Sequence, residues 1–293
     1  MSAQAGSRPR SGDAVTIFEV GPRDGLQNEA RPMTAADKIT LVDLLSATGL
    51  RKIEVTSFVS PRWVPQLADG AEVMAGIARR DGICYAALVP NETGLDRAIA
   101  AGADEVAVFA SASEGFSRKN INCSVAESLD RFEPVLRRAR EIDLPVRAYV
   151  SCVTDCPYDG VVAPDAVAGI AARLVEMGST EVSLGDTLGR GTPKRVRDML
   201  EAVTARVPPA RLAGHFHDTG GQALANVEVS LAAGIRVFDS SIAGLGGCPY
   251  APGARGNVAT EALNDFLGAA GLVTGVEPEA LEEAARFIRQ VLK

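Results

Sequence analysis

Histidine is nearly missing from this chain: 293 residues contain two, His215 and His217, and they stand two positions apart. Cysteine is sparse and odd in number, with five scattered thiols. That argues against a disulfide framework and for reduced thiols in a cytoplasm. Cys152-x3-Cys156 matches neither the usual zinc spacing nor Cys-x-x-Cys and reads as structural. No apolar run approaches the ~20 residues that cross a bilayer. The net charge of −7 comes with no basic patch, which disfavours nucleic acid and membrane surfaces as partners. Met1 to Arg10 lacks the apolar stretch of a signal peptide, and its two arginines sit in a segment too short for an amphipathic targeting helix. Residues 1–14 are therefore expected to be a disordered tail on a cytoplasmic protein.

What is present is an ordinary globular composition, 46% apolar and 23% charged. Strand-like runs fall at Val15–Val20, Lys52–Ser57, Ile83–Val89, Glu105–Ala110, Val146–Ser151, Glu181–Leu184, Arg211–His217 and Ile235–Ile242. Helix-like runs alternate with them at Thr34–Thr48, Val64–Arg80, Gly94–Ala100, Val125–Glu141, Pro164–Met177, Pro193–Val207, Gln222–Ala233 and Val258–Ala269. Gly49, Gly102, Gly178 and Gly234 punctuate helix ends, as left-handed caps do. Eight βα units without a linker predict one (β/α)8 TIM barrel over residues 15–293. A doubly wound sheet is the alternative, but no Gly-x-Gly-x-x-Gly follows the first strand. An extra C-terminal helix, Pro278–Leu292, is expected on the outside or against a partner.

In such a barrel the chemistry lies at the carboxyl ends of the strands. Residues i and i+2 of a strand share a face, so His215 and His217 can grip one object, and neutral imidazoles suit a divalent metal. The plainer alternative is a pair of histidines that only satisfy hydrogen bonds. Polar residues gather at the same end of the other strands. Arg23 and Asp24 follow strand one, Glu54 and Thr56 are expected to point together on strand two, and Asp186 ends strand six.

Six motifs at matching spacings carry a resemblance over Ile17 to Leu292. They are Arg23-Asp24-Gly25-Leu26-Gln27-Asn28-Glu29, Val55-Thr56-Ser57-Phe58-Val59-Ser60-Pro61, Gly185-Asp186-Thr187, His215-Phe216-His217-Asp218-Thr219, Gly244-Leu245-Gly246-Gly247-Cys248-Pro249-Tyr250-Ala251 and Gly256-Asn257-Val258-Ala259-Thr260-Glu261. Together they resemble the 3-hydroxy-3-methylglutaryl-CoA lyase family. The resemblance implies retro-Claisen cleavage of that thioester to acetyl-CoA and acetoacetate, with a place in leucine degradation and ketone-body formation. It implies Asp24, His215, His217 and Asn257 as ligands of Mg2+ or Mn2+, which would bind the C3 hydroxyl and free carboxylate of the substrate. An acyl-CoA is the expected small-molecule partner, and a homodimer the expected assembly.

The other roles follow from charge and family together. Arg23, always cationic, suits the developing enolate oxygen, with a salt bridge to Asp24 or Glu54 as its plainer reading. Cys248, in a glycine-rich loop able to close, suits proton delivery to the enolate carbon. Glu54 and Asp186 are expected to orient Arg23 and the metal waters, and either of them, or Asp24 or His215, is a candidate base for the hydroxyl proton. Arg23, Gln27, Thr56 and Asn120 are assigned to substrate binding. The chain departs from the family pattern at Arg190, Gly220, Pro252 and Arg255; these changes spare the ligands and bear on acyl specificity. Gly220, where the family carries Tyr, is expected to enlarge the acyl pocket. Alternatives are a lyase for a bulkier 3-hydroxy-3-alkylglutaryl-CoA, a condensing enzyme such as isopropylmalate or homocitrate synthase, and a catalytically silent scaffold. Condensing enzymes usually carry a long C-terminal extension, whereas residues 270–293 alone follow the eighth helix here.

Overall fold

A computed structural model describes residues 14–246 and 256–293. Of the tail expected at residues 1–14, residues 1–13 lie outside the described residues, as do Cys248, Pro252 and Arg255 in 247–255; Ala14 is ordered, bridged to Val273. Eight parallel strands close into a barrel in sequence order: Thr16–Glu19, Lys52–Ser57, Cys84–Leu88, Glu105–Ser111, Val146–Ser151, Glu181–Asp186, Leu212–Phe216 and Val237–Ser240. They are called strands one to eight below. The first pairs with the eighth through Thr16 and Val237 and with the second through Phe18 and Lys52. Both faces of such a parallel barrel are covered, by helices outside and packed side chains within.

Five of the helices begin where the chain supplies a side-chain cap. Thr34, Asn91, Ser113, Ser124 and Thr192 each accept a backbone N–H in the first turn of their helices, and Ser124 with Glu127 forms a capping box. Gly49, Gly102, Gly178 and Gly234 all adopt positive φ, as a left-handed helix end requires. Two elements differ from the expectation. The second helix shrinks to Gly70–Gly76, because Val64, ahead of a proline, is non-helical and Pro65–Leu67 forms only a 3₁₀ turn. An additional helix, Glu114–Ile121, follows strand four; its sequence is too polar to show an apolar period. The C-terminal helix, Pro278–Val291, packs on the outside between the first helix and Thr260–Ala269. No described helix is long and apolar enough to cross a membrane.

The lower barrel interior holds charge. Lys52 lies 2.8 Å from Glu105 and 3.8 Å from Glu181, and Glu181 is 2.7 Å from Arg147. Arg147 then reaches Asp239 on strand eight at 2.6 Å, with no exposure on either side chain. Such a chain is stable only when each buried charge meets an opposite one with good hydrogen-bond geometry.

At the upper rim, Glu19 ends strand one fully buried. One oxygen accepts the backbone N–H groups of Gly21 at 2.7 Å and Ile242 at 2.9 Å; the other accepts the Thr260 hydroxyl at 2.5 Å. It thus joins the loops after strands one and eight. Burial raises its carboxyl to about 7, and the three donors only partly offset this. A carboxyl raised above its unfolded value of 4.5 binds more protons when folded, so its contribution is present below that value and lost as pH rises through 7. Glu19→Gln retains an acceptor for the two amides. Melts at about pH 5 and about pH 8 should show the wild type losing about 2.5 kcal/mol relative to this variant. Parallel pH profiles would mean that Glu19 titrates like an exposed carboxylate.

Candidate active site

The turn after strand one is wound as a single π turn, Gly21–Gly25, in which the Val20 carbonyl accepts from both Asp24 at 2.7 Å and Gly25 at 3.2 Å. Such turns recur at functional sites because they re-aim side chains. Glycine is required at both ends here. A Cβ on Gly21 would meet Glu19 Oε1 at 2.5 Å, and one on Gly25 would meet Ser241 Oγ at 2.6 Å. The packed turn directs Arg23 and Asp24 over the barrel mouth.

There Asp24 meets the two histidines. Ligand atoms of Asp24, His215 and His217 lie within 4.8 Å of one another, and both imidazoles are buried. Asn257 joins them through a backbone bridge to His217 and through Nδ2, which donates to Asp24 Oδ2 at 2.8 Å. Burial would raise the Asp24 carboxyl, but Arg23 and the imidazoles hold it down, to about 2. Burial and the neighbouring His215 push His217 down to about 4, leaving a neutral ring. Its Nδ1 is buried without a partner among the described residues. A carboxylate, two imidazoles and an unpartnered ring nitrogen fit a divalent ion held by nitrogen and oxygen. Among the described residues no thiolate shares the cluster, which disfavours a structural zinc site.

Arg23 bridges the two carboxylates that its plainer reading named. Its Nε donates to Glu54 at 2.6 Å and its Nη1 to Asp24 at 2.7 Å. The Tyr149 hydroxyl donates to the same Glu54 oxygen at 3.0 Å, and the Arg23 guanidinium lies 5.2 Å from the centre of the Tyr149 ring. Burial raises the Glu54 carboxyl despite Arg23. Its other oxygen is buried and unpartnered among the described residues.

Other expected residues are placed differently. The pairing of strands two and three shifts register between Glu54 and Thr56. This bulge breaks the alternation that would have set both on one face. Thr56 packs instead against Gly70 of the second helix, where an added Cβ would meet its Oγ1 at 2.6 Å. Asp186 is engaged by its own loop: its oxygens accept from Thr154 at 3.0 Å, the Gly191 amide at 2.8 Å and the Arg190 amide at 3.4 Å. It therefore shapes the turn after strand six rather than gripping Arg23. Gln27 is partly exposed just beyond the π turn, Asn120 is exposed on the additional helix, and the Arg190 side chain is exposed. The Gly220 amide donates to Gly189 O at 2.9 Å, and an added Cβ would lie 2.8 Å from that carbonyl.

Sequence reasoning passed over Tyr149, Arg147 and Asp239. His215 Nδ1 lies 3.2 Å from Asp239 Oδ2, a contact set by the pairing of His215 with Asp239 across strands seven and eight. A signal was present: Val237-Phe238-Asp239-Ser240 puts an acid in the middle of a core strand, where a lone charge is costly.

A closed parallel barrel with these groups converging at the carboxyl ends of its strands defines a barrel enzyme whose class is set by its relatives. A model of the HMGL-like family matches residues 14–288, and the chain belongs to that family. It is 59% identical over 278 residues to the 3-hydroxy-3-isohexenylglutaryl-CoA/hydroxymethylglutaryl-CoA lyase of Pseudomonas aeruginosa, covering 95% of this chain and 93% of that one. It is 57% identical to the cytoplasmic 3-hydroxy-3-methylglutaryl-CoA lyase of Rattus norvegicus, covering 94% of this chain and 80% of that one. The crystal structure of the HMG-CoA lyase from Brucella melitensis superposes with a TM-score of 0.94 at 56% identity, covering 95% of this chain and 99% of that one.

The contact at Gly220 has a measurable consequence. Gly220→Ala forces a methyl group against the Gly189 carbonyl, an overpacking expected to cost about 1–3 kcal/mol in urea unfolding. Mn2+ affinity should hold, since Gly220 lies outside the ligand cluster. Unchanged stability would show that the Gly189 loop yields freely.

Proposed function

We propose that this protein cleaves 3-hydroxy-3-methylglutaryl-CoA to acetyl-CoA and acetoacetate. The observation that carries the reading is the convergence of Asp24, His215 and His217 in a chain whose lyase relatives match it over nearly its whole length. Asp24, His215, His217 and Asn257 would hold Mg2+ or Mn2+, and such an ion supplies Lewis-acid polarisation of the substrate hydroxyl and carboxylate. Arg23, fixed by Glu54 and Asp24, presents a permanent cation to the thioester enolate as the C2–C3 bond breaks. The hydroxyl proton is accepted within the group that surrounds Arg23: Asp24, His215 and Glu54. Asp186, whose oxygens accept from Thr154 and the Arg190–Gly191 backbone, is a further candidate for that step. Cys248 returns a proton to the enolate carbon; an ordinary thiol pKa of about 8.5 suits that transfer. The substrate enters as an acyl-CoA, the protein works in the cytoplasm, and it pairs as a homodimer.

A condensing enzyme and a lyase devoted to a bulkier homologue are not favoured, because the relatives share the hydroxymethylglutaryl-CoA lyase name. A coupled assay for acetyl-CoA release, with Mg2+ or Mn2+ added, tests the reading; a chain that releases none from this substrate would refute it.

Two substitutions separate binding from proton delivery. His217→Ala should leave the barrel folded and weaken Mn2+ binding at least about 10–100-fold in calorimetric titration, the range seen for groups that merely support a ligand. Equal affinity would remove His217 from the ligand set. Cys248→Ser should keep Mn2+ affinity while turnover drops about 10²–10⁴-fold, because a hydroxyl is a far weaker acid. Turnover within a few-fold of the wild type would reduce Cys248 to a packing residue.

A further inference from the structure

The two histidines at the site are not equivalent. His217 Nδ1 has no partner among the described residues, whereas His215 Nδ1 faces a carboxylate that is already saturated with donors. Asp239 Oδ1 accepts Arg147 Nη2 at 2.6 Å, and its Oδ2 accepts Arg147 Nη1 at 3.0 Å and the Ser183 hydroxyl at 2.8 Å before it meets His215. Arg147 is itself immobile. Glu181 takes its Nε at 2.7 Å, and its guanidinium lies 4.4 Å from the Phe18 ring centre and 4.9 Å from that of Tyr149. A carboxylate gripped by two guanidinium nitrogens offers only lone pairs. The ring nitrogen opposite it must therefore be the donor.

We infer that Asp239, backed by Arg147, is a positioning residue that holds His215 in the Nδ1–H tautomer and leaves Nε2 as the nitrogen offered to the cluster with Asp24 and His217. The consequence for metal binding rests on the proposed function; the tautomer does not. A carboxylate behind a ligating imidazole fixes ring orientation and raises the basicity of the coordinating nitrogen. Tyr149 supports the same geometry, its ring standing edge-on to His215 at 6.2 Å. The sequence separates these parts widely. Arg147, Ser183, His215 and Asp239 come from strands five to eight, and barrel closure alone brings them into one layer.

Because the chain has only two histidines, ¹⁵N-histidine NMR of the full-length, metal-free protein reads the tautomer directly. The spectrum is taken at a pH where both rings are neutral, with His217→Ala to assign the signals. Protonated Nδ1 and bare Nε2 on His215 are expected; the opposite pattern overturns the inference. Asp239→Asn then presents an amide N–H to Nδ1 and favours the wrong tautomer. Mn2+ affinity should drop about 10–100-fold, with no further drop when the same change is made in the His215→Ala protein. An equal loss in both backgrounds would mean that Asp239 acts through general structure and not through His215, and the inference would fail. Should Asp239→Asn not fold, the wild-type tautomer decides alone. A wild type that binds no Mn2+ would refute the proposed metal site, while the NMR result would still decide the tautomer.

Discussion

Inside the barrel Arg147 and Asp239 share two hydrogen bonds out of contact with water, and the site above them depends on that pairing. Burying either charge alone would cost several kcal/mol. Together with Glu181, Ser183 and the rings of Phe18 and Tyr149 they leave no strong donor or acceptor of the pair idle. Burial would raise the Asp239 carboxyl, but Arg147 holds it well below the usual carboxylate range. It stays an anion beneath His215. Burial would likewise drive a proton off that ring, yet the hydrogen bond and charge of Asp239 raise its pKa instead.

A second layer of order lies in how the loops are tied. Glu19 fastens the π turn that carries Arg23 and Asp24 to the backbone after strand eight, just before the glycine-rich stretch. The loops after strands six and seven touch backbone to backbone at Gly189 and Gly220, and Asp186 holds the first of them in shape. Functional groups from distant parts of the chain are thus placed by rigid strand ends and short, hydrogen-bonded turns. That is the usual economy of this fold, where a fixed barrel presents variable loops on one face.

The polar cluster at the mouth divides by charge. Arg23 sits between Glu54 and Asp24, and each carboxylate responds differently to it. Glu54, wholly buried, is raised by its loss of water, while Asp24, which also faces two imidazoles, is lowered. Two acids beside one guanidinium therefore hold protons with different strength. That separation suits a reaction needing both a fixed anionic ligand and a basic group nearby.

The sequence by itself determined the barrel, since alternating apolar periods, helix caps and four glycines in left-handed positions are local properties that survive without tertiary context. It also marked Arg23, Asp24, His215 and His217, because they stand close together at strand ends, and the family resemblance of its motifs added Asn257. Only the tertiary structure decided what depends on register and closure. The register shifts between Glu54 and Thr56, and Thr56 packs beside Gly70 of the second helix. The Gly220 amide found its partner in the Gly189 carbonyl of the neighbouring loop. Asp239 came to lie under His215 because strands seven and eight pair there, and Arg147 reached it from across the barrel. These contacts join residues 24 to 92 positions apart, and no local pattern encodes a partner that only a closed sheet brings within 3 Å.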